Sequence, residues 1–198
     1  MLTVGVEILG AFILDNYDVT ERHHAAALLA EDFPDELEDL IAVLNGFRLK
    51  GSYLVAGGNK SPIALALDAA FSGRGWHEKA FDIEVTVDGM PTLAPTHHVD
   101  YFKNRVAVET EWNNKDPFFD RDLTTFRLLH DYNVASLGVI ITRADELQQL
   151  MNELGRGSSY GQSTTHWSKL TPRLANRVSG GCPVLAFGIR RSLYDPAV

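Results

Sequence analysis

Three carboxylates stand close together near the middle of the chain, within the stretch HHVDYFKNRVAVETEW at residues 97–112. Asp100 comes first, and Glu109 and Glu111 follow two residues apart in an apolar run that alternates like a strand. Strand positions of this kind usually carry valine or threonine. Acids placed there at this spacing suggest a chemical role, and the competing interpretation is an ordinary solvated strand face.

The segments 97–102 and 105–112 are predicted to pair as an antiparallel hairpin that turns at positions 103 and 104. In this pairing, position 102 faces 105 and Asp100 faces Ala107. Because side chains alternate across a strand, all three acids then share one face, while the valines between them point into the core. The hairpin therefore predicts a cluster of carboxylates.

Clustered carboxylates repel one another, and at least one of them must have a raised pKa unless a cation lies between them. Carboxylate oxygens suit Mg²⁺, which also keeps coordination positions open for water and phosphate. The acids therefore predict a magnesium site.

Two amides and a lysine follow the acids directly in the run WNNKD. Asn113, Asn114 and Lys115 could hydrogen-bond to base edges in the major groove of DNA. Turn chemistry explains the two asparagines equally well.

The bulk properties indicate a single domain. The chain has 198 residues, 45% of them hydrophobic, which is enough for one sizeable core. We expect an accessory helical part at 1–60 and a catalytic core with recognition loops at 61–198. The single cysteine, Cys182, permits no intrachain disulfide and favours the cytoplasm. The net charge of −8 disfavours nucleic acid, unless the 18 basic residues cluster in a cleft.

The elements that must position the acids alternate between helix and strand. A weak strand is predicted over 3–14, and Thr20 resembles the N-cap of a helix that runs to position 33. Ser61 and Pro62 are typical of a helix start. Further strands are predicted at 81–89, 136–142 and 182–189, with helices between them. This order predicts an α/β fold with a central mixed β-sheet flanked by helices.

The run VDYFKNRVAVETEWNNKDPFFDRDLTTFRLLH resembles type II restriction endonucleases of the BglII and BamHI kind, which belong to the PD-(D/E)xK nucleases. The similarity continues through GVIITRADELQQL, YGQSTTHWSKL and GGCPVLAFGI, and covers roughly residues 60–190. Glu111 stands where most PD-(D/E)xK nucleases have lysine. The BglII and BamHI subgroup is known to place Glu or Gln there.

The resemblance implies a magnesium-dependent homodimer that cuts both strands of a short palindrome, with a GATC core in related members. A cognate DNA methyltransferase is expected in the same system. Asp100 and Glu109 match the metal-binding acids, and Glu111 would position the attacking water. Glu84 is the nearest candidate for a further upstream metal ligand, although an exposed strand glutamate explains it more simply.

The glycine-rich loop GRGSSYGQSTTH, residues 155–166, corresponds to the part of the family that reads bases. Arg156 is the main candidate, because a bidentate arginine–guanine contact is the commonest specific contact. Lys60 and Lys103 are candidates for phosphate contacts. The other candidates for contact with DNA are Ser158, Ser159, Gln162, Ser163, Thr164, Thr165 and His166.

Three other functions compete with a restriction endonuclease. They are a repair nuclease of the same superfamily, a catalytically inactive DNA-binding module, and a small-molecule metallohydrolase. The intact acidic triad disfavours the inactive module, and the polar 155–166 loop would have no role in the metallohydrolase. His97 and His98 lack a third residue at a spacing that would suit zinc.

Overall fold

The computed structural model describes residues 5–55, 61–94 and 98–197. The β-strands are Tyr17–Arg22 (β1), Leu49–Lys50 (β2), His77–Lys79 (β3), Ile83–Val87 (β4), Met90–Ala94 (β5), Val99–Lys103 (β6), Val106–Glu111 (β7), Leu137–Arg143 (β8), Val184–Ile189 (β9) and Tyr194–Asp195 (β10). The α-helices are Ala11–Asn16 (α1), Ala25–Asp32 (α2), Pro34–Gly46 (α3), Gly51–Val55 (α4), Pro62–Ser72 (α5), Phe118–Asp131 (α6), Leu147–Glu153 (α7) and Trp167–Ala175 (α8).

The central sheet has six strands in the order β1-β9-β8-β7-β6-β3. Strands β7, β8 and β9 run parallel to one another, and the remaining pairs are antiparallel. Strands β4 and β5 form a separate two-stranded ribbon. The predicted α/β class with a central mixed sheet is thus confirmed.

Helices cover both faces of this sheet. On one face, Val108, Ile141 and Phe187 pack into a large core shared with α1–α5 and α7. On the other face, Ile140 and Ala186 pack against apolar side chains of α6 and α8. The strands β8 and β9 are buried at every position, as expected for parallel strands covered on both sides.

The N-terminal segment differs from the prediction. The expected strand over 3–14 is wrong for the residues that the structure describes, which form a 3-10 turn at Val6–Leu9 and then α1. Val6, Leu9 and Ile13 are all buried. Their spacing of three and four residues is a helical period, which was mistaken for weak alternation.

Thr20 is not a helix N-cap. It lies in β1, where it pairs with Ala186 of β9. Helix α2 begins only at Ala25, after His23 and His24 take left-handed backbone angles. Pairing with a distant strand therefore overrides the local capping signal. At α5 the local signal holds, because the Ser61 hydroxyl accepts a hydrogen bond from the Ala64 amide.

The acidic hairpin forms as predicted, but its register is shifted by two residues. Phe102 pairs with Ala107 rather than with Arg105. The turn lies at Asn104 and Arg105, which both have positive φ angles, at 42° and 71°. Such angles are typical of a two-residue type I′ turn, which sets this register. A shift of two keeps every side chain on its predicted face.

No helix in the part of the chain that the structure describes is both long enough and apolar enough to cross a membrane.

Candidate active site

Asp100 and Glu109 meet where the β6–β7 ladder ends. The Asp100 amide donates a hydrogen bond to Glu109 Oε2 at 3.4 Å, and the Thr110 amide donates one to Asp100 Oδ2 at 2.9 Å. Glu109 is 1% exposed. The shifted register therefore brings Asp100 beside Glu109, where the predicted pairing had placed it opposite Ala107.

Glu111 lies at the end of β7 and is 2% exposed. The side-chain amide of Asn114 donates a hydrogen bond to Glu111 Oε2 at 2.8 Å, and Arg121 Nη2 lies 3.3 Å from Glu111 Oε1. Burial raises the pKa of Glu111 to about 9, and the neighbouring Asp122 carboxylate contributes to the rise. The hydrogen bond from Asn114 and the charge of Arg121 oppose the rise only in part.

Asp68 and Asp122 are two further acids of this negative cluster. Burial raises the pKa of Asp100, and the nearby charges of Asp122 and Asp68 raise it further, while the Thr110 amide opposes the rise. Asp68 comes from α5, and the Tyr101 hydroxyl donates a hydrogen bond to its Oδ1 at 2.7 Å. Asp68 was missed in the sequence, although it is the only charged residue in the apolar run PIALALDAAFS.

A cleft of about 490 Å³ opens over Asp68, Asp100 and Glu111, between α5, the acidic hairpin and the start of α6, and Glu109 and Asp122 are not among its lining residues. Its lining includes Asp68, Asp100, Glu111, Asn113 and Arg121. Asn113 Oδ1 is buried there without a hydrogen-bond partner in the protein. A larger cavity of about 720 Å³ lies beside α3–α5, but its lining is mainly apolar and contains none of these acids.

The side chains in the cleft fit a hard divalent cation in their chemistry. Their donors are carboxylate oxygens, and burial and mutual repulsion both make the negative charge unfavourable without a cation. The buried Asn113 Oδ1 is a further oxygen donor that no protein group satisfies. Within residues 5–55, 61–94 and 98–197, however, no three His, Cys, Asp or Glu side chains are placed so that they could hold a metal ion together.

The other predicted metal ligand, Glu84, lies elsewhere. It is exposed on β4, in the ribbon that is separate from the central sheet. Among the described acids, Asp68 rather than Glu84 lines the cleft with Asp100. His98 is paired with the exposed Glu78 at 3.0 Å, and His97 lies outside the described residues.

The candidate DNA-contacting residues divide by exposure. Asn114, Lys115, Ser158, Ser159, Gln162 and Ser163 are exposed, and Asn113, Arg156, Thr164 and His166 are half-buried. Thr165 is 0% exposed, so its side chain is not available to DNA in this conformation, and the contact stays a prediction. Its hydroxyl is occupied by backbone amides of the protein.

Lys103 has a structural partner. Its Nζ lies 2.7 Å from Asp39 Oδ2 and donates a second hydrogen bond to the Arg74 carbonyl at 3.2 Å. This ion pair ties the end of β6 to α3, so the structure does not offer Lys103 as a free phosphate contact. The turn beside Lys103 lies at the opposite end of β7 from Glu111. Lys60 lies outside the described residues.

A comparison with protein-family models matches residues 17–189 to the family described as restriction endonuclease BglII/BglIII. A search of curated proteins gives no match. The family match spans most of the chain, from β1 to β9, and the mixed sheet with helices on both faces is consistent with the restriction-endonuclease-like fold. The chain therefore belongs to the BglII/BglIII family of restriction endonucleases.

Proposed function

We propose that this endonuclease hydrolyses one phosphodiester bond in each strand of a short palindromic duplex site, with Mg²⁺ as its cofactor. The observation that carries the proposal is the convergence of the Asp68, Asp100 and Glu111 carboxylates on one open cleft at the end of β7, with Glu109 beside Asp100. A GATC-centred palindrome, which the resemblance to related members implies, is the first sequence to test.

Asp100 and Glu109 would hold the metal, and Asp68 is a further candidate ligand. Bound Mg²⁺ would lower the pKa of a coordinated water and neutralise charge on the phosphate. Asp100 already has one oxygen fixed by the Thr110 amide, and this contact restricts the orientation of its carboxylate. Such restriction keeps a ligand in place when DNA enters.

Glu111 would act as the base that accepts a proton from the attacking water at one of its carboxylate oxygens. A general base works best when its pKa lies near the operating pH. Burial raises the pKa of Glu111 to about 9, so a bound cation nearby would be needed to bring it back toward the operating pH, and Asn114 and Arg121 fix both of its oxygens. Arg121 would also supply positive charge near the scissile phosphate, which Glu111 cannot do.

Recognition of DNA would involve the exposed polar groups beside the cleft. Asn114 and Lys115 lie in the turn after β7, and the 155–166 loop lies against them through a bridge between Lys115 and Thr164. Arg156 would read guanine through two hydrogen bonds. Phosphate contacts favour binding wherever basic groups cluster, so the overall charge of −8 does not oppose this local interface.

Two active sites related by a two-fold axis would match the symmetry of a palindrome and cut both of its strands, so we propose a homodimer. A host that makes this enzyme must protect its own DNA, and a cognate methyltransferase of the same specificity would do so without a stable complex. Such an enzyme would act in the cytoplasm, a location that the single cysteine also favours.

The test is to incubate the protein with mixed plasmid DNA and Mg²⁺ and to sequence the fragment ends. Discrete ends at one palindrome support a restriction enzyme, whereas scattered ends favour a repair nuclease and intact DNA an inactive module. Asp100→Ala and Glu109→Ala should keep DNA binding and abolish cleavage. Glu31→Ala, which removes an exposed acid of α2, is the matched control. If either cleft variant cuts at the normal rate, the metal assignment is wrong.

A further inference from the structure

A set of hydrogen bonds around the buried Thr165 hydroxyl joins the 155–166 loop to the turn that follows β7. Thr165 Oγ1 accepts hydrogen bonds from the amides of Asn113 and Asn114, each at 3.2 Å. The Thr165 amide donates to the Asn114 carbonyl at 2.8 Å, and the Asp116 amide donates to the Ser163 carbonyl at 2.9 Å. One buried hydroxyl therefore satisfies two consecutive amides of the turn.

Arg143 anchors the same loop from the end of β8. Its side chain is 1% exposed, and its Nη2 donates to Thr164 Oγ1 at 2.9 Å and to the Tyr160 carbonyl at 3.4 Å. The guanidinium lies 5.7 Å from the centre of the Tyr160 ring. Its Nη1 reaches Gln148 Oε1 at 3.4 Å, so these hydrogen bonds all end on neutral oxygens. A buried cation of this kind is costly to hold, which indicates that the position of the loop matters.

The turn leads from this junction to the catalytic carboxylate. Asn114 has its backbone held by Thr165 and its side-chain amide bonded to Glu111 Oε2 at 2.8 Å. Thr142 of β8 donates to the Glu111 carbonyl at 2.8 Å, so the backbone of Glu111 is fixed independently of the loop. Asn114 holds one oxygen of the Glu111 carboxylate and Arg121 holds the other, and the backbone of Asn114 is in turn held by Thr165.

We propose that Thr165 is a positioning residue that couples the seating of the 155–166 loop on DNA to the orientation of the Glu111 carboxylate. This inference rests on the proposed function, in which the loop reads bases and Glu111 acts on water. A loop that fits its site would hold Thr165 against the turn and Glu111 in its working position. A mismatched site would shift the loop, loosen Asn114 and slow cleavage. Specificity would then reside in the cleavage rate as well as in affinity.

Thr165→Val tests the coupling, because valine keeps the shape of threonine and removes the acceptor. Two backbone amides lose their partner, which should slow single-turnover cleavage about 10- to 100-fold. Affinity for the same DNA, measured with Ca²⁺ in place of Mg²⁺, should change by less than about threefold, since the exposed loop residues remain. The ratio of rates between the cognate site and sites differing by one base pair should fall.

Thr165→Ser restores the hydroxyl and should restore the rate. Thr20→Val is the matched control, because Thr20 lies on the edge strand β1, which β9 and β8 separate from β7. Neither a purely structural role nor a direct DNA contact predicts a rate loss at constant affinity that serine rescues. A Thr165→Val enzyme that cuts and discriminates like the wild type would overturn the coupling.

Hydrogen exchange over residues 109–116 gives a readout that does not need cleavage. Exchange in this segment should be faster in Thr165→Val than in the wild type or in Thr165→Ser. If the wild type cuts no DNA but exchange responds in this way, the proposed function fails, while the link between Thr165 and the turn after β7 stands. Unchanged exchange in Thr165→Val refutes that link. If Thr165→Val does not fold, Arg143→Lys loosens the loop from its other anchor and should give the same slower cleavage and faster exchange.

Discussion

Glu111→Gln should make the metal-free protein more stable while it abolishes cleavage. The substitution keeps the shape of the side chain and an oxygen that can accept from Asn114, and it removes a charge that is 2% exposed. Burial and the neighbouring Asp122 carboxylate raise the pKa of Glu111. Glu111 should therefore lower the free energy of unfolding, as expected of a residue that is kept for chemistry rather than for stability.

The magnitude follows from the two protonation states. In the unfolded chain Glu111 releases its proton near its ordinary pKa of 4.5, whereas in the folded protein its pKa is about 9. Because the folded state binds more protons between these values, stability falls as pH rises through that window. A shift of one pH unit corresponds to about 1.4 kcal/mol. Relative to low pH, the free energy of unfolding is therefore lower at pH 8 by a few kcal/mol and by at most about 5 kcal/mol. At pH 5 the corresponding loss is below about 1 kcal/mol.

The assay is urea unfolding of the wild type and Glu111→Gln at pH 5 and pH 8 with a metal chelator present. The variant should unfold at higher urea than the wild type at pH 8 and at nearly the same urea at pH 5. Glu31→Gln, in which the acid is exposed, should show no such difference. Added Ca²⁺ should narrow the gap at pH 8, since a cation that binds the folded acids stabilises the wild type. Equal stability of wild type and Glu111→Gln at pH 8 would refute the reasoning.

Two further predictions concern the core and the cleft. Gly138→Ala places a Cβ 2.2 Å from the Phe126 ring, so it should lower the free energy of unfolding by about 1–3 kcal/mol or more in a urea titration, whereas Gly181→Ala enters open space and should be nearly neutral. Asp68→Asn should slow cleavage about 10- to 100-fold without loss of DNA affinity, and a normal rate for Asp68→Asn beside a slow Glu84→Gln would reverse the choice between these acids.

The local sequence was sufficient for features that depend on neighbouring residues. The helix–strand alternation predicted the mixed α/β sheet, and the Ser61-Pro62 pair marked the start of α5. The period of two in β7 assigned Glu109 and Glu111 to one face, and this assignment survived a register error because the error was an even number of residues. The motifs around these acids were enough to identify the family, which the match over 17–189 confirms.

Features that depend on distant segments required the tertiary structure. Asp68 stands 32 positions before Asp100, and only the packing of α5 on the hairpin brings it to the cleft. Thr165 has a polar side chain of the kind that contacts DNA, but this side chain points into the protein. Two backbone amides of a turn that is distant in sequence need its hydroxyl as an acceptor. Sequence alone thus determined the class of fold, the family and the acids of β7. Tertiary packing decided which other polar side chains join those acids and which are used to hold the protein together, because a buried polar group must find its partner wherever the fold supplies one.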